Sequence, residues 1–277
     1  MSSEAIFSGD ALSPFLRVLN ATAWRYVQRQ AGYIIELLRW PFFPILYFVA
    51  LYLTYTASER ETVSGYPVGG FLVVGVLGIV LWTSNLWSSG YAIEFERREG
   101  TLQSLYLTTG SRSAVVFGYG LGSLLVLVLP TAIVLGAIVL ILGVEFRIGS
   151  VPSVILSFAG LLLASTALGY VLAGIFVLTR RANVIANFLQ APVYLLSGAV
   201  VPAAELPGSL QHFARVFPLS YGMDAVRNSM LAGATVNEIA TSLLGLVGTS
   251  IALLALGAWL LQKVERNARN GAEIDFE

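Results

Sequence analysis

The sequence predicts an all-α membrane protein with six spanning helices. It adds an N-terminal amphipathic helix lying in the interface, a short charged helix after the second span, and short helices before the last span. Three observations carry this. The chain is 56% apolar and 12% charged, against roughly a quarter charged in soluble domains. Several apolar runs reach the ~20 residues that a helix needs to cross hydrocarbon. The cations are also shared unequally between the loops of the two sides.

Residues 1–38 form a tail and the interfacial helix. From Leu12 the apolar residues at 12, 15, 16, 19, 23, 26 and 27 share one helical face. Ser13, Arg17, Asn20, Arg25, Gln28 and Arg29 lie elsewhere around it, with Trp24 the exception. A basic amphipathic helix of this kind lies along the headgroups. The first 30 residues are too polar for a signal-peptide core, so no cleavage is expected.

The membrane domain covers 39–261. Its first span is expected at about 39–57, with Pro41 and Pro44 in the first turns, where a missing amide donor costs least. A polar loop, Ser58 to Gly65, leads to a second span at 67–89, whose Trp82, Asn85 and Trp87 suit an interface belt. A charged helix is expected at about 94–106. The third span, 114–142, is long enough to kink, and Pro130 is the natural place. A fourth span at 151–178 turns at Arg180-Arg181 into a fifth at 184–201. An outer re-entrant segment, 202–238, precedes the sixth span at 239–261, and 262–277 is a tail. Within the outer segment, Gly208–Phe217 and Ser220–Leu231 are expected as short helices separated by Pro218.

With six spans, twelve of the sixteen cations fall on the side that holds both termini and the charged helix. That bias places both termini and the charged helix in the cytoplasm, and the plasma membrane is the expected location. Arginine outnumbers lysine fifteen to one, which points to a GC-rich, prokaryotic genome.

The composition also excludes. Net charge is zero, so nothing favours nucleic acid, and without cysteine there is no disulfide or thiolate metal site. All sixteen acids fall outside the predicted apolar spans, where an ion-coupled carrier usually places ionisable groups at midplane. His212 is the sole histidine, with no carboxylate or cysteine neighbours. No catalytic residue and no metal site are expected. The single lysine, Lys263, follows no glycine-rich loop, so a phosphate-binding P-loop is missing and any nucleotide drive must come from another chain.

Glu94-Phe95-Glu96-Arg97-Arg98-Glu99 is the densest charge in the protein. A charged helix tethered between two spans is placed to press on a soluble partner. Arg97 and Arg98 offer planar donor forks for a partner's carboxylates. Leu102 and Leu105 form an apolar ridge, and Gly100 either breaks the helix or allows close backbone approach. The bland reading, a solvated loop whose arginines only set orientation, leaves the acids and the leucine pair unexplained.

At these residues the chain resembles the permease subunits of type-2 ABC exporters, the ABC-2 family. The family's coupling helix reads approximately Glu-x-x-x-Gly-Thr-Leu-Glu-x-Leu. Here it stands as Glu96-Arg97-Arg98-Glu99-Gly100-Thr101-Leu102-Gln103-Ser104-Leu105. A Ser-Gly segment closing the fifth span, followed by prolines and short outer helices, also matches: Ser197-Gly198-Ala199-Val200-Val201-Pro202, Leu206-Pro207 and Phe217-Pro218-Leu219-Ser220-Tyr221. Gln103 departs from the usual acid, and Thr109-Gly110 stands where Thr-Pro or Ser-Pro often ends the loop.

The resemblance implies an ATP-driven exporter. A separate ABC ATP-binding subunit would bind ATP and Mg, none being held in this chain. A second permease, a copy or a paralogue, would complete the pathway. The coupling interface would comprise Glu96, Arg97, Arg98, Glu99, Gly100, Thr101, Leu102, Gln103 and Leu105. Asn187, Gln190 and Tyr194 share one face of the fifth helix and either line a substrate path or bond to neighbouring helices. Ser197, Gly198, Pro202, Pro207, Pro218 and Tyr221 are the candidates for an outer gate, the bland alternative being a loop on the headgroups. Drug, lipid, glycolipid and polysaccharide all remain open as substrates. A stand-alone ion-coupled carrier or channel and a non-transporting membrane scaffold are the rival readings.

Overall fold

The computed structural model describes residues 14–32, 34–101, 112–179 and 181–269. The helices, in chain order, are α1 (Pro14–Ala31), α2 (Ile34–Ala57), α3 (Val68–Trp87), α4 (Ala92–Arg98), α5 (Arg112–Ser123), α6 (Leu129–Leu142), α7 (Val151–Val177), α8 (Ala182–Leu196), α9 (Gly208–Val216), α10 (Pro218–Leu231) and α11 (Ala240–Arg269). Among the described residues, four stretches are long and apolar enough to cross a membrane: Val68–Arg98, Arg112–Leu142, Val151–Val177 and Ala240–Val264. Two apolar pieces, Pro41–Ala57 and Ala182–Leu196, are shorter.

α3 is the centre. Phe71, Leu72, Trp82 and Leu86 are all fully buried, and so is most of the helix around them. From Val68 to Trp82 it carries no polar residue, because nearly every face meets protein: α2, α6, α7, α8 and α10 pack around it. α11 lies along α7, and α10 fills the space between α7, α11 and α3. Trp82 and Asn85 sit inside this core rather than in an interface belt. The Asn85 amide donates to Leu81 O (3.0 Å) and to Ser165 Oγ (2.9 Å), satisfying polar groups that would be costly to strand in an apolar interior.

Several boundaries depart from expectation, each for a local reason. α2 begins at Ile34, so Pro41 and Pro44 lie inside the helix; the strong helix formers upstream carry it past two missing donors. The polar loop 58–65 holds a small antiparallel ribbon, Thr62–Val63 against Tyr66–Pro67, turned by left-handed Ser64 and Gly65. The third long stretch is not simply kinked at Pro130: the five residues Leu124–Val128 form a π-helical turn just before it. Proline has no N–H for the fourth carbonyl back, and widening the preceding turn takes up the mismatch. α8 stops at Leu196 instead of continuing to 201, because Gly198 takes φ = 72°, a conformation that ends helices. α11 runs on to Arg269, past the expected end of the span.

The small-residue spacing at Gly118 and Gly122 packs α5 against α1. A Cβ at Gly118 would lie 2.7 Å from Leu19 O, and one at Gly122 would lie 2.8 Å from Ala23 O. The two helices therefore touch backbone to backbone, and α1 is fixed to the bundle. Replacing Gly118 by Val is expected to lower stability by about 1–3 kcal/mol through overpacking. Thermal unfolding of the purified protein measures this, and an unchanged Tm would show that α1 is only loosely attached.

Candidate functional site

The charged connector is a clamped structure. α4 starts after a turn at Ser88–Tyr91 and ends at Arg98; Gly100 follows at φ = 72°, so the predicted helix break is present. Of the expected coupling residues, Leu102, Gln103 and Leu105 lie outside the described residues. The rest are held as follows.

Glu96 is buried, yet each carboxylate oxygen is occupied. Oε1 accepts from Tyr119 Oη of α5 (3.0 Å) and from Arg25 Nη1 of α1 (3.3 Å), and Oε2 accepts from Thr101 Oγ1 (2.5 Å). Glu99 takes Arg29 Nη1 at 2.6 Å and also Arg25 Nη2. Arg29 lies over the Phe95 ring, 4.9 Å from its centroid. Two arginines of α1 thus grip two carboxylates of the connector. Partial burial works against the Arg25 charge, but Glu96, Tyr119 and Glu99 outweigh it and hold its pKa above the ordinary arginine value.

Arg97 and Arg98 are not simply displayed to a partner. Arg97 Nη2 reaches Glu94 at 2.5 Å and Arg98 Nε reaches it at 3.0 Å. Spacings of three and four residues put all three groups on one helical face. Glu94 is buried beneath them, while Arg98 remains half exposed.

A second contact leaves the connector for α8. Tyr91, the residue before α4, donates its hydroxyl to Asn183 Oδ1 (2.8 Å) and packs on Trp87 and Phe176. From there a polar ladder climbs α8. Asn187 Nδ2 donates to Asn183 O (2.8 Å), Gln190 Nε2 contacts Asn187 Oδ1 (3.4 Å), and Tyr194 Oη donates to Gln190 Oε1 (3.1 Å). Tyr194 Oη also meets Thr83 Oγ1 of α3 at 2.8 Å. The three path candidates therefore form one chain of hydrogen bonds along the helix face they share. Its continuation to Thr83 and Tyr91 was not visible in the sequence.

The upper rungs open into a cavity of about 350 Å³, within the usual range for ligand sites. Phe43, Pro44 and Tyr47 of α2 form one wall, and Ile79, Val80, Thr83 and Ser84 of α3 another. Leu127 of the π-helical turn, Thr131 of α6, and Gln190 and Tyr194 of α8 close it. Asn187 is not in the lining. Among the described residues no charged side chain lines this space; it is apolar with a few neutral hydrogen-bonding groups.

At the opposite end from α4, the gate candidates divide. Ser197, Gly198 and Pro202 belong to the turn after α8, Pro207 precedes α9, and Pro218 opens α10. Tyr221 packs on α11 at Gly245. Arg227 of α10, one of the cations on the side opposite the termini, is buried at 3% exposure against that turn. His212 is exposed on α9, its Nδ1 2.7 Å from Gly208 O.

A helical membrane bundle with a charge-clamped connector and an uncharged internal cavity has the build of a transport permease. The comparison with known families agrees: the model described as ABC-2 family transporter protein matches residues 47–259. The chain belongs to that family and is an integral membrane protein of a transport family whose members are transmembrane domains. It is 23% identical over 218 residues to ABC transporter G family member 20 of Dictyostelium discoideum, a match covering 76% of this chain and 30% of that protein. It is also 44% identical over 46 residues to Nodulation protein J of Rhizobium meliloti strain 1021, covering 17% of this chain and 18% of that one. The corresponding match to Nodulation protein J of Bradyrhizobium diazoefficiens is 40% over 45 residues, or 16% and 17% of the two chains. The chain thus spans less than a third of the length of each of these relatives.

Removing the Glu96 carboxylate leaves Arg25 and Tyr119 without their shared acceptor. Breaking a fully buried pair costs ~3–5 kcal/mol, but Arg25 is half exposed, which reduces this to about 1–2 kcal/mol for Glu96→Ala. Unfolding of Glu96→Ala, Arg25→Ala and the double variant should show non-additivity of at least ~0.5 kcal/mol. Strictly additive losses would mean the pair carries no interaction energy.

Proposed function

We propose that this chain is the membrane permease of an ATP-driven exporter, crossing the plasma membrane six times with both termini in the cytoplasm. The two shorter apolar helices, α2 and α8, serve as the first and fifth spans. α4 and the residues after it form the coupling helix that docks a separate ABC ATP-binding subunit, which holds ATP and Mg. A second permease, a copy of this chain or a paralogue, completes the pathway.

One observation carries the reading. The connector is fastened at both ends of its mechanics: to α1 and α5 through Glu96 and Glu99, and to α8 through Tyr91 and Asn183. A push on α4 therefore moves a rigid body. Part of that displacement passes along α8 to Gln190 and Tyr194, which line the cavity. Closure of the ATP-binding subunits supplies the push, and the far end of the bundle opens.

The cavity also narrows the substrate. Apolar walls with Thr83, Gln190 and Tyr194 as neutral donors and acceptors suit an uncharged amphiphile or a lipid's apolar portion. A free ion would find no compensating charge there, and a polysaccharide would leave most of its hydroxyls unpaired. Among drug, lipid, glycolipid and polysaccharide, the first three fit.

Two experiments test this. Tagged protein extracted in mild detergent should co-purify an ATPase chain, and a Glu99→Arg, Leu102→Asp double variant that remains folded should lose it. Recovery of no ATPase chain with either protein would overturn the exporter reading and favour a lone carrier or a scaffold. In the reconstituted complex, Tyr194→Phe with Gln190→Leu should change substrate stimulation of ATPase activity by roughly tenfold while basal activity persists, about 1.4 kcal/mol of binding. Unaltered stimulation would place the substrate path elsewhere.

A further inference from the structure

The turn that follows α8 is held down by a buried cation. Ala199 O accepts from Arg227 Nη2 at 3.3 Å, and the guanidinium carbon sits 3.7 Å from the centroid of the Phe71 ring of α3. Arg227 Nε has no hydrogen-bond acceptor among the described residues. One position further along the turn, Val200 O accepts from Tyr55 Oη of α2 at 3.1 Å. Beneath the turn lies Gly75 of α3, where a Cβ would stand 2.1 Å from Ala199 O. Next to α10's arginine, Asn228 Oδ1 accepts from Tyr66 Oη at 2.9 Å. Ser197–Val201 is thus seated on bare backbone of α3 and tied from α10 and α2.

An arginine is an expensive way to fasten a static turn. Its burial strips water from a full charge, and here the return is one neutral carbonyl, one aromatic face, the nearby charge of Asp224 three residues back, and an orphaned Nε. Apolar packing would hold an immobile turn at lower cost. A cation that is imperfectly satisfied when buried has an alternative state in water to gain, whereas a leucine does not. The contact is therefore balanced between holding and releasing. Gly198, at φ = 72°, and the helix end at Leu196 supply a joint about which the turn can swing.

We propose that Arg227 is the positioning residue that latches the outer gate. It holds the Ser197–Val201 turn closed over Gly75 of α3, and opening consists of releasing Ala199 O so that the guanidinium meets external water. The proposal rests on the export reading for which side is outer. It needs no contact between Arg227 and the substrate; the residue acts through the backbone of the turn.

The chain has no cysteine, so Ala199→Cys gives a single thiol whose reaction with a membrane-impermeant maleimide reports exposure of the turn. Intact cells present one face to the reagent and inverted vesicles the other. With Arg227 present, labelling from outside should be slow, and in cells that hold ATP it should be faster than in ATP-depleted ones. With Arg227→Gln added, labelling from outside should rise at least tenfold and lose its dependence on ATP, while Arg227→Lys should keep much of the slow, ATP-dependent behaviour. A merely structural arginine would lower Tm in Arg227→Gln without removing ATP dependence, and that result overturns the latch. Equal slow labelling with and without Arg227 in folded protein also overturns it. Labelling only in inverted vesicles would instead overturn the orientation on which the export reading stands. Should Arg227→Gln fail to fold, Tyr55→Phe removes the Val200 tie without touching the charge. It should accelerate labelling several-fold, and no acceleration counts against the latch.

Discussion

A single buried carboxylate does for this bundle what a hinge pin does for plates. Glu96 accepts hydrogen bonds from α1, from α5 and from the strand of chain that leaves α4. Without those donors a carboxylate with 7% of its side chain exposed would be a severe penalty; with them it fixes three elements in one arrangement. Glu99 and the two arginines of α1 widen the same contact toward the surface. The backbone approach of α5 to α1 at Gly118 and Gly122 depends on the same alignment, because those glycines face Leu19 and Ala23, both less than about two turns before Arg25. Charge and packing are therefore mutually supporting here.

The remaining polar groups extend this logic away from the connector. Asn85, Ser89 and Ser165 join α3, α5 and α7 by buried hydrogen bonds, so the helices nearest α4 are cross-linked as well as packed. α8 differs. It meets α3, α7 and α9 over small areas, and its attachments are largely the hydrogen bonds from Tyr91 and to Thr83. A helix held lightly along its sides and firmly at named points can shift as a unit while the core around α3 stays fixed. In the proposed export cycle this makes α8 the moving element and α3 the reference.

Much of this was legible in the sequence. The order of helices, the break at Gly100, the short helices on either side of Phe217-Pro218, and the shared face of Asn187, Gln190 and Tyr194 all follow from periodicity and from what proline and glycine permit. What escaped were the partners. Arg25 and Glu96 lie 71 residues apart, and no local rule pairs them; the sequence shows cations suited to headgroups and acids suited to a second chain, and folding spends both on each other. The sequence puts Arg227 on a short outer helix but does not give its depth: α10 lies inside the bundle and takes the arginine with it. Trp82 and Asn85 suggested a belt for the same reason: composition gives amphipathicity, while depth is decided by the helices that close around α3. The π-helical turn before Pro130 was legible only as a kink, since a missing donor fixes where regularity fails and not which way the chain relaxes.

The face of α8 has one more consequence. Asn187 is exposed on this subunit and Gln190 is only half buried, close to exposed Val184 and Phe188. Asn183 O and Gln190 Nε2 meet part of the Asn187 carboxamide's hydrogen bonding within the helix, but the donors and acceptors left over find no partner among acyl chains. In the proposed six-span arrangement, with α8 as the fifth span, this strip is therefore the edge least suited to acyl chains. There the ring of lipid is best broken at the height of Asn187, by protein or by water.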